Sequence, residues 1–399
     1  MKYDLVFEGG GAKGMVFVGA CEELAAQGHE FGRLLGTSAG AITATLLAAG
    51  YSPTEMLEAL AEQNSDGKSV FASFMGRPRE FSDAELDRSA TLKLLDGVDL
   101  TFVPDVLERA AHGKLVRSLA GVGSFRHVLA LIERGGWYGA DNFLTWMRTR
   151  LASGRHNGSA RAFADFTLAQ FFEATHVELS LVASDTSGGN ILVLNHRTAP
   201  DCPVVWAVRM SMSIPLVWDE VVWLAEWGKY QGKDMTGHCI VDGGVLSNFP
   251  IELFISDAPQ ITRLMGQKTS NKVLGLLIDE KLPVSKGLLV RTNIKLGDLA
   301  MVQRIERLVD TATGAHDKLV IEEYAHLVAR LPAQGYGTTE FDMTDERRTA
   351  LVAAGRDAMK MYLNGGGLGG LVLPSKAGAP ATGKPETPAD RVARGALNQ

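Results

Sequence analysis

The sequence of 399 residues has only three cysteines, Cys21, Cys202 and Cys239, and no two of them form a CxxC pair. An odd number of widely separated cysteines indicates neither a disulfide framework nor a zinc site. We therefore expect the three thiols to be reduced and structural. The sequence predicts no metal and no cofactor.

Long apolar runs and an excess of positive charge are also absent. No run of about 18 apolar residues is available to span a bilayer, and Met1 to Phe7 lacks the apolar core of a secretory signal. The formal net charge of -6 gives no reason to expect nucleic acid as a partner. We expect a cytoplasmic protein that contacts membranes peripherally, through a local patch, and export as an effector stays open.

The amino-terminal part of the chain repeats one pattern. Residues 3–7 form a short apolar run that precedes glycines and predicts a strand. Residues 15–27 then carry helix-forming side chains. Leu34 and Leu35 begin a second unit, in which residues 41–49 form an alanine-rich helix. Two strand-turn-helix units in succession predict an α/β protein with a parallel sheet and helices on its faces.

Apolar periodicity predicts further elements along the chain. We expect a hairpin of residues 177–184 and 191–194, and buried strands at 239–241 and 273–278. Helices are predicted at 296–331 and 344–363.

These elements predict one domain over residues 1–364, with an insertion at about 64–135 and a flexible tail at 365–399. The tail is rich in Gly, Ala, Pro, Lys and Thr, so it has no core of its own. Within the insertion, residues 115–132 carry apolar side chains at helical spacing. The pattern fits a cap helix on the core or a lid that faces lipid, and we favour the cap.

The first glycine-rich loop is GGGAKG, which comprises Gly9, Gly10, Gly11, Ala12, Lys13 and Gly14. It fits the GxGxxG pattern of dinucleotide-binding turns. Such a site needs an acidic residue at the end of the second strand, where this chain has Gly36, Thr37 and Ser38. A P-loop is excluded because Met15, not lysine, follows the last glycine. The loop alone therefore identifies no ligand.

The second glycine motif is GTSAG, in which Ser38 stands between Gly36 and Gly40. GxSxG at a strand-to-helix turn is the nucleophile elbow of serine hydrolases, because the glycines permit a tight turn that presents the hydroxyl. The amino terminus of the following helix also favours negative charge there. The motif predicts that Ser38 is a nucleophile.

A serine nucleophile needs an oxyanion hole. Gly9, Gly10 and Gly11 leave backbone N–H groups unshielded, and Lys13 adds positive charge nearby. We therefore expect the first loop to hold the oxyanion of a tetrahedral intermediate.

The nucleophile also needs a base, and Asp242 is the candidate. It ends a predicted strand and precedes Gly243 and Gly244, so its carboxylate can approach another backbone closely. Partial burial beside Ser38 would raise the pKa of this carboxyl toward the working range. A simple Asp-Gly-Gly turn is the alternative interpretation.

Taken in order, GGGAKG at Gly9, GTSAG at Gly36 and DGG at Asp242 resemble the motifs of the patatin-like phospholipases. Longer segments resemble the same family, among them VRMSMSIPLVWDEV, VDGGVLSNFPIELF and FDMTDERRTALVAAGRDAMKMYL. The resemblance covers Tyr3 to about Leu363. It implies a three-layer α/β/α sandwich with a mostly parallel central sheet and a helical cap or lid insertion.

The resemblance also implies a chemistry. Ser38 and Asp242 would form a catalytic dyad without histidine or metal, with oxyanion donors from Gly9, Gly10 and Gly11. Phospholipids or other acyl-ester lipids would be the substrates, reached by transient contact with a membrane surface. The family is compatible with an unknown activator, and the resemblance implies no oligomeric state. The residues that would support the motifs are Ala12, Lys13, Gly14, Gly36, Gly40, Gly243 and Gly244.

Two alternatives stay open at this point. The chain order of α/β-hydrolases allows a triad of Ser38 and Asp242 with His316 or His326, although a solvent-facing position in a charged helix also explains both histidines. A non-catalytic nucleotide-binding module would use GGGAKG but would leave Ser38 and Asp242 unexplained.

Overall fold

A computed structural model describes residues 1–91, 123–268, 270, 272–284 and 321–365. Eight strands form its central sheet. They are β1 Lys2–Phe7, β2 Glu30–Thr37, β3 Leu179–Asp185, β4 Asn190–Leu194, β5 Val221–Val222, β6 Cys239–Asp242, β7 Val273–Asp279 and β8 Val328–Pro332.

The order across the sheet is β8-β7-β1-β2-β3-β6-β5, and β4 pairs with β3. The pairs β8–β7, β7–β1, β1–β2 and β2–β3 are parallel. The hairpin of β3 and β4 is antiparallel, and so are the pairs β3–β6 and β6–β5. The sheet is therefore mostly parallel, with its antiparallel pairs towards the β5 edge.

Helices connect and cover these strands. They are α1 Val16–Ala26, α2 Ala39–Ala48, α3 Pro53–Ala61, α4 Asp83–Asp87, α5 Gly123–Arg134, α6 Asp141–Ala152, α7 Leu168–Thr175, α8 Val204–Ser211, α9 Glu252–Ile255, α10 Pro259–Met265 and α11 Asp345–Leu363. A 3-10 helix, Gly11–Met15, leads from the first glycine loop into α1.

Alternate residues of β1 belong to two different cores. Leu5 and Phe7 pack in a cluster with apolar residues of α1, α2 and α11, whereas Val6 packs in a second cluster with residues of α9 and α10. Successive side chains of a strand point to opposite faces of a sheet, so helices cover both faces. The predicted α/β fold with three layers is confirmed.

Most of the predicted elements are confirmed. The hairpin appears as β3 and β4, the two buried strands as β6 and β7, and the final helix as α11. The predicted helix 296–331 is wrong at its carboxyl end, where Val328–Pro332 is a strand that pairs with β7. A short apolar run does not distinguish a buried strand from a helix, and here the sheet supplies the partner. Residues 296–320 of the prediction lie outside the described residues.

The predicted cap or lid is described only in part. Residues 92–122 lie outside the described residues, and the rest of the amphipathic segment belongs to α5. Leu129 of α5 is buried against Leu86, while Val128 and Ile132 are exposed. The cap and the lid both remain predictions, as does the flexible tail, which lies outside the described residues after Gly365. Within the described ranges, none of the helices has the length and apolarity needed to cross a bilayer.

Candidate active site

The strands β2 and β6 lie on the two sides of β3 and run in opposite directions. Both end near the same point of β3. The last residue of β2, Thr37, pairs with Val182, and the last residue of β6, Asp242, pairs with Ala183. Val182 and Ala183 are consecutive, so the chain leaves β2 and β6 at nearly the same point of the sheet. Ser38 follows Thr37 directly, and the sheet register therefore brings Ser38 and Asp242 together.

Ser38 has the backbone geometry of a nucleophile elbow. Its φ of 53° and ψ of -120° lie in a region that non-glycine residues adopt only with strain. A side chain at Gly36 would lie 2.3 Å from the carbonyl oxygen of Gly40, and one at Gly40 would lie 2.4 Å from that of Phe7. Both flanking glycines are thus required by close backbone approach. The helix α2 begins at Ala39, so its positive end lies beside the hydroxyl.

The first glycine loop presents free donors to the same place. The Gly9 N–H donates to the carbonyl oxygen of Asn248 at 3.2 Å. The N–H groups of Gly10 and Gly11 donate to no acceptor in the part of the chain that the structure describes, and both residues line the cavity that contains Ser38. Of the three predicted oxyanion donors, Gly10 and Gly11 are therefore the ones available.

Close packing explains why glycine occupies several positions of this loop. A Cβ at Gly9 would lie 2.1 Å from Asn248 Oδ1 and 3.1 Å from the Cβ of Ser38. Gly11 has a φ of +54°, and a Cβ there would lie 2.1 Å from the carbonyl oxygen of Thr338. At Gly14 an added Cβ would meet the Cβ of Ala39 at 2.4 Å. The loop is thus packed directly against the elbow.

Asp242 is a buried carboxyl with one satisfied oxygen. Its Oδ1 accepts the N–H of Gly244 at 2.8 Å, while Oδ2 is buried without a hydrogen-bond partner of normal geometry. Burial raises the pKa of Asp242 to about 7, and the nearby Ser38 hydroxyl and the Gly244 N–H lower it in part. Ser38 and Asp242 line the same cavity, and the hydroxyl lies near enough to lower the pKa of the carboxyl. Such a carboxyl has the pKa expected of a general base near neutral pH.

A cavity of about 150 Å³ contains these groups. Ser38, Asp242 and the glycine loop belong to its lining, and Ile214 and Pro215 contribute apolar side chains. The residues that line it are Glu8, Gly9, Gly10, Gly11, Lys13, Ser38, Ile214, Pro215, Asp242, Gly244, Val245, Asn248, Ile278, Glu280 and Thr338.

Lys13 lines the same cavity as Ser38 and Asp242, whereas the described histidines do not. Lys13 is buried and forms an ion pair with Glu280 at the cavity, so its charge is partly balanced. No histidine of the described residues lines the cavity. His238 Nδ1 lies 2.9 Å from Asp185 Oδ2, in a pair outside the lining, and His316 lies outside the described residues. Nor does any group of three or more His, Cys, Asp or Glu side chains in the described ranges form a metal site.

Two residues that the sequence did not single out hold the site in place. Ser211 Oγ accepts the N–H of Ser38 at 3.0 Å. Asn248 accepts the Gly9 N–H with its carbonyl oxygen and donates its side-chain amide to the Gly9 carbonyl oxygen at 3.1 Å. Ser211 lies in VRMSMSIPLVWDEV and Asn248 in VDGGVLSNFPIELF, so the resemblance of these segments to the family is the signal in the sequence that points to them.

The comparison with known families agrees with the motifs. Residues 5–255 match the family described as patatin-like phospholipase. The chain belongs to this family. The resemblance seen in the sequence is thereby confirmed, and membership supports a hydrolase of lipid acyl esters.

Two curated proteins are similar to the chain in sequence. The uncharacterized protein YqhO of Bacillus subtilis (strain 168) is 28% identical over 370 residues, which cover 91% of this chain and 98% of that protein. A probable lipid hydrolase of Invertebrate iridescent virus 6 is 22% identical over 251 residues, which cover 63% of this chain and 62% of that protein.

Solved structures resemble the chain more distantly. VipD from Legionella pneumophila gives a TM-score of 0.44 at 16% identity, over 91% of this chain and 67% of that one. The type III effector protein ExoU gives 0.37 at 16% identity, over 92% of this chain and 53% of that one. The chain thus spans about half the length of ExoU, and the family assignment depends on the sequence match.

Proposed function

We propose that this protein is a lipid acyl hydrolase in which Ser38 is the nucleophile and Asp242 is the general base. The observation that supports this most strongly is the meeting, in one cavity, of a strained serine, a buried carboxyl with a raised pKa and unpaired backbone donors. Phospholipids or other acyl-ester lipids are the proposed substrates.

In the first step, Asp242 takes the proton from Ser38 as Oγ attacks the carbonyl carbon of the ester. The carbonyl π bond opens and its oxygen carries the negative charge of the tetrahedral intermediate. Asp242 then returns the proton to the departing alcohol, the bond to that alcohol breaks, and the acyl group stays on Ser38. A base with a pKa of about 7 is suited to both directions of this proton transfer.

In the second step, water takes the place of the alcohol. Asp242 accepts a proton from the water as its oxygen attacks the acyl carbon, and the proton passes to Ser38 Oγ when the acyl bond breaks. The products are a fatty acid and the restored serine. The two steps use the same groups, so no histidine is required.

We assign the oxyanion to the N–H groups of Gly10 and Gly11. Both are free of other acceptors in the described chain and line the cavity, and such donors typically lower the barrier by a few kcal/mol each. Gly9 has a different part in this proposal, because its N–H already bonds Asn248. It permits the close approach of Asn248 and Ser38.

An apolar cavity next to the site supports an acyl chain as part of the substrate. It has a volume of about 50 Å³ and shares Gly11 with the cavity that contains Ser38. Its lining includes Met15, Ile42, Leu46 and Phe74. Apolar surface of this kind favours the burial of methylene groups by about 0.8 kcal/mol each.

Contact with a membrane surface is the remaining part of the proposal. Leu246 is 37% exposed, and it directly follows Val245, which lines the cavity. An apolar side chain at this rim gains free energy by entering lipid. We propose that the contact is transient and peripheral.

The test is release of fatty acid from mixed phospholipid vesicles by the wild type, Ser38→Ala and Asp242→Asn, together with labelling by a fluorophosphonate probe. We expect the wild type to release fatty acid and to be labelled at Ser38, and both variants to lose at least about 1,000-fold in rate. His238→Ala is the control and should hydrolyse like the wild type.

Three results would contradict the proposal. Full activity in Ser38→Ala would exclude this serine as the nucleophile. A comparable loss in His238→Ala would replace the dyad by a histidine mechanism. Saturable nucleotide binding without labelling at Ser38 would favour a binding module instead.

A further inference from the structure

Ser211 lies at the carboxyl end of α8, beside the point where β2 and β6 meet. We propose that Ser211 is a positioning residue whose hydroxyl holds the backbone of Ser38 in its strained conformation. The inference rests on the proposed function, because it names a residue that aligns the same nucleophile. Ser211 does not itself line the cavity.

The Ser211 hydroxyl is fixed by two hydrogen bonds. It accepts the N–H of Ser38 at 3.0 Å and donates to the carbonyl oxygen of Val182 at 2.6 Å. Val182 is the β3 residue that pairs with Thr37, directly before Ser38. The side chain of Ser211 is completely buried, so water has no access to replace either bond. The hydroxyl thus ties the elbow to the strand beside it.

The strain at Ser38 explains why this bond matters. A residue held in a sparsely populated backbone region destabilises the folded state and persists only where the surroundings fix it. Without Ser211 Oγ, the Ser38 N–H would be buried and unpaired, which destabilises the folded state further. In the absence of the Ser211 hydroxyl, rotation of the Ser38 peptide would relieve both the strain and the unpaired N–H. That rotation would move Ser38 Oγ away from Asp242 and from the glycine loop.

The segment that contains Ser211, residues 209–213, also forms a hydrogen bond with the proposed base, Asp242. Two residues after Ser211, the carbonyl oxygen of Ser213 accepts the N–H of Asp242 at 2.9 Å. Arg209 anchors the segment, because its buried guanidinium bonds Ser213 Oγ and donates to Asp219 Oδ1 at 2.5 Å. One short stretch of chain therefore contacts the backbone of both dyad residues, and Ser211 supplies its contact with the nucleophile.

The experiment compares Ser211→Ala and Ser211→Cys with Ser180→Ala. Ser180 is a matched control, because it is a buried serine of β3 whose hydroxyl accepts a hydrogen bond from Asn195 at 3.1 Å, outside the cavity. We expect kcat to fall about 100-fold in Ser211→Ala, with KM nearly unchanged, since a small misplacement of a reacting group has an effect of this size. Cysteine has a similar shape but a weaker hydrogen-bond acceptor, so the kcat of Ser211→Cys should lie between that of the wild type and that of Ser211→Ala. The control should keep kcat within about threefold of the wild type, as expected for a site without a role in alignment.

The pH profile separates alignment from a general loss of stability. The Ser38 hydroxyl lowers the pKa of Asp242, so its displacement in Ser211→Ala should move the acidic limb of kcat/KM to higher pH. The control should leave this limb where it is in the wild type. An unchanged limb together with wild-type kcat in Ser211→Ala would overturn the proposal, and so would a fall in kcat no larger than that of Ser180→Ala.

Amide hydrogen exchange at Ser38 provides a readout that does not depend on activity. The Ser38 N–H should exchange slowly in the wild type and in Ser180→Ala, and faster in Ser211→Ala. If the wild type hydrolyses no ester, the proposed function fails, but the exchange comparison still decides whether Ser211 holds the elbow. If Ser211→Ala does not fold, Ser211→Cys takes its place, and wild-type kcat and exchange in that variant would overturn the proposal.

Discussion

Replacement of Asp242 by asparagine should abolish activity and yet make the protein more stable relative to the wild type as the pH rises. The carboxyl has a pKa of about 7 in the folded protein against an ordinary value of 3.8. Each unit corresponds to about 1.4 kcal/mol, so the ionised carboxylate destabilises the folded state by about 4 kcal/mol well above pH 7. The value is of this size because Asp242 is only 4% exposed and Oδ2 has no partner.

The sign follows from proton binding. Between its two pKa values, Asp242 is protonated in the folded chain and ionised in the unfolded chain, so the folded state binds more protons and stability falls as pH rises. Asparagine does not titrate. Linkage therefore predicts that the difference in free energy of unfolding between Asp242→Asn and the wild type increases by about 2–3 kcal/mol from pH 5 to pH 8.

When the difference in stability between Asp242→Asn and the wild type is compared at two pH values, the effects of the substitution that do not depend on pH cancel. Asparagine keeps an oxygen for the Gly244 N–H but places an amide where Oδ2 has no partner, and this cost of about 1–3 kcal/mol is the same at every pH. Other titrating groups are common to both proteins. Only the titration of Asp242 contributes to the change.

The assay is urea unfolding at pH 5, 6, 7 and 8, followed by tryptophan fluorescence and extrapolated to water. Asp165→Asn is the control for the loss of one carboxylate, since the side chain of Asp165 is 86% exposed. A difference between Asp242→Asn and the wild type that is constant across the four pH values would refute the reasoning. It would mean that Asp242 is ionised without penalty in the folded protein.

Three further predictions concern activity. The kcat/KM of the wild type should rise about tenfold per pH unit below pH 7 and level off above it, because Asp242 must be ionised to act as base; a flat profile between pH 5 and 8 in steady-state kinetics would contradict this. Gly10→Ala should lower kcat about 100-fold, because its Cβ would lie 2.3 Å from Ile278 Cδ1, and Ile278→Ala in the same chain should restore part of the loss. Leu246→Glu should weaken vesicle co-sedimentation and vesicle hydrolysis but not hydrolysis of a soluble short-chain ester, whereas Leu224→Glu, at a leucine with 42% exposure, should change neither.

The sequence predicts well those parts of the site that local geometry dictates. Gly36 and Gly40 flank Ser38 because backbone atoms approach within a distance that no side chain tolerates, and this requirement leaves a fixed spacing in the sequence. The strands β1, β2, β6 and β7 are likewise short apolar runs bounded by glycine or by a turn. Both kinds of signal are local, so they can be read without knowledge of the fold.

Features that depend on distant partners are not predictable in this way. The composition of Val328–Pro332 does not distinguish a strand from the end of a helix. The segment is a strand because it pairs with the edge of β7 that β1 does not occupy. Ser211 is one serine among many, and its importance arises only when α8 places it against Ser38 and Val182. The direction of β6 is also invisible in its four residues, although it decides that Asp242 meets Ser38 at all.

Two unfavourable local features meet at this site, and both are useful to the proposed chemistry. The backbone of Ser38 is strained and the Oδ2 of Asp242 is buried without a partner, so each residue taken alone destabilises the fold. Such violations of local rules are expected where a site is held ready for reaction. They persist here because the strands that lead to them, and the strand β3 between these two, are anchored by completely buried residues such as Leu35, Leu181 and Ile240. In the proposed reaction, transfer of the Ser38 proton to Asp242 would give Oδ2 the hydrogen it lacks, and the negative charge would move from the buried carboxylate to the oxyanion. The charge would thus leave a position where it has no partner and reach one that the free N–H groups of Gly10 and Gly11 face.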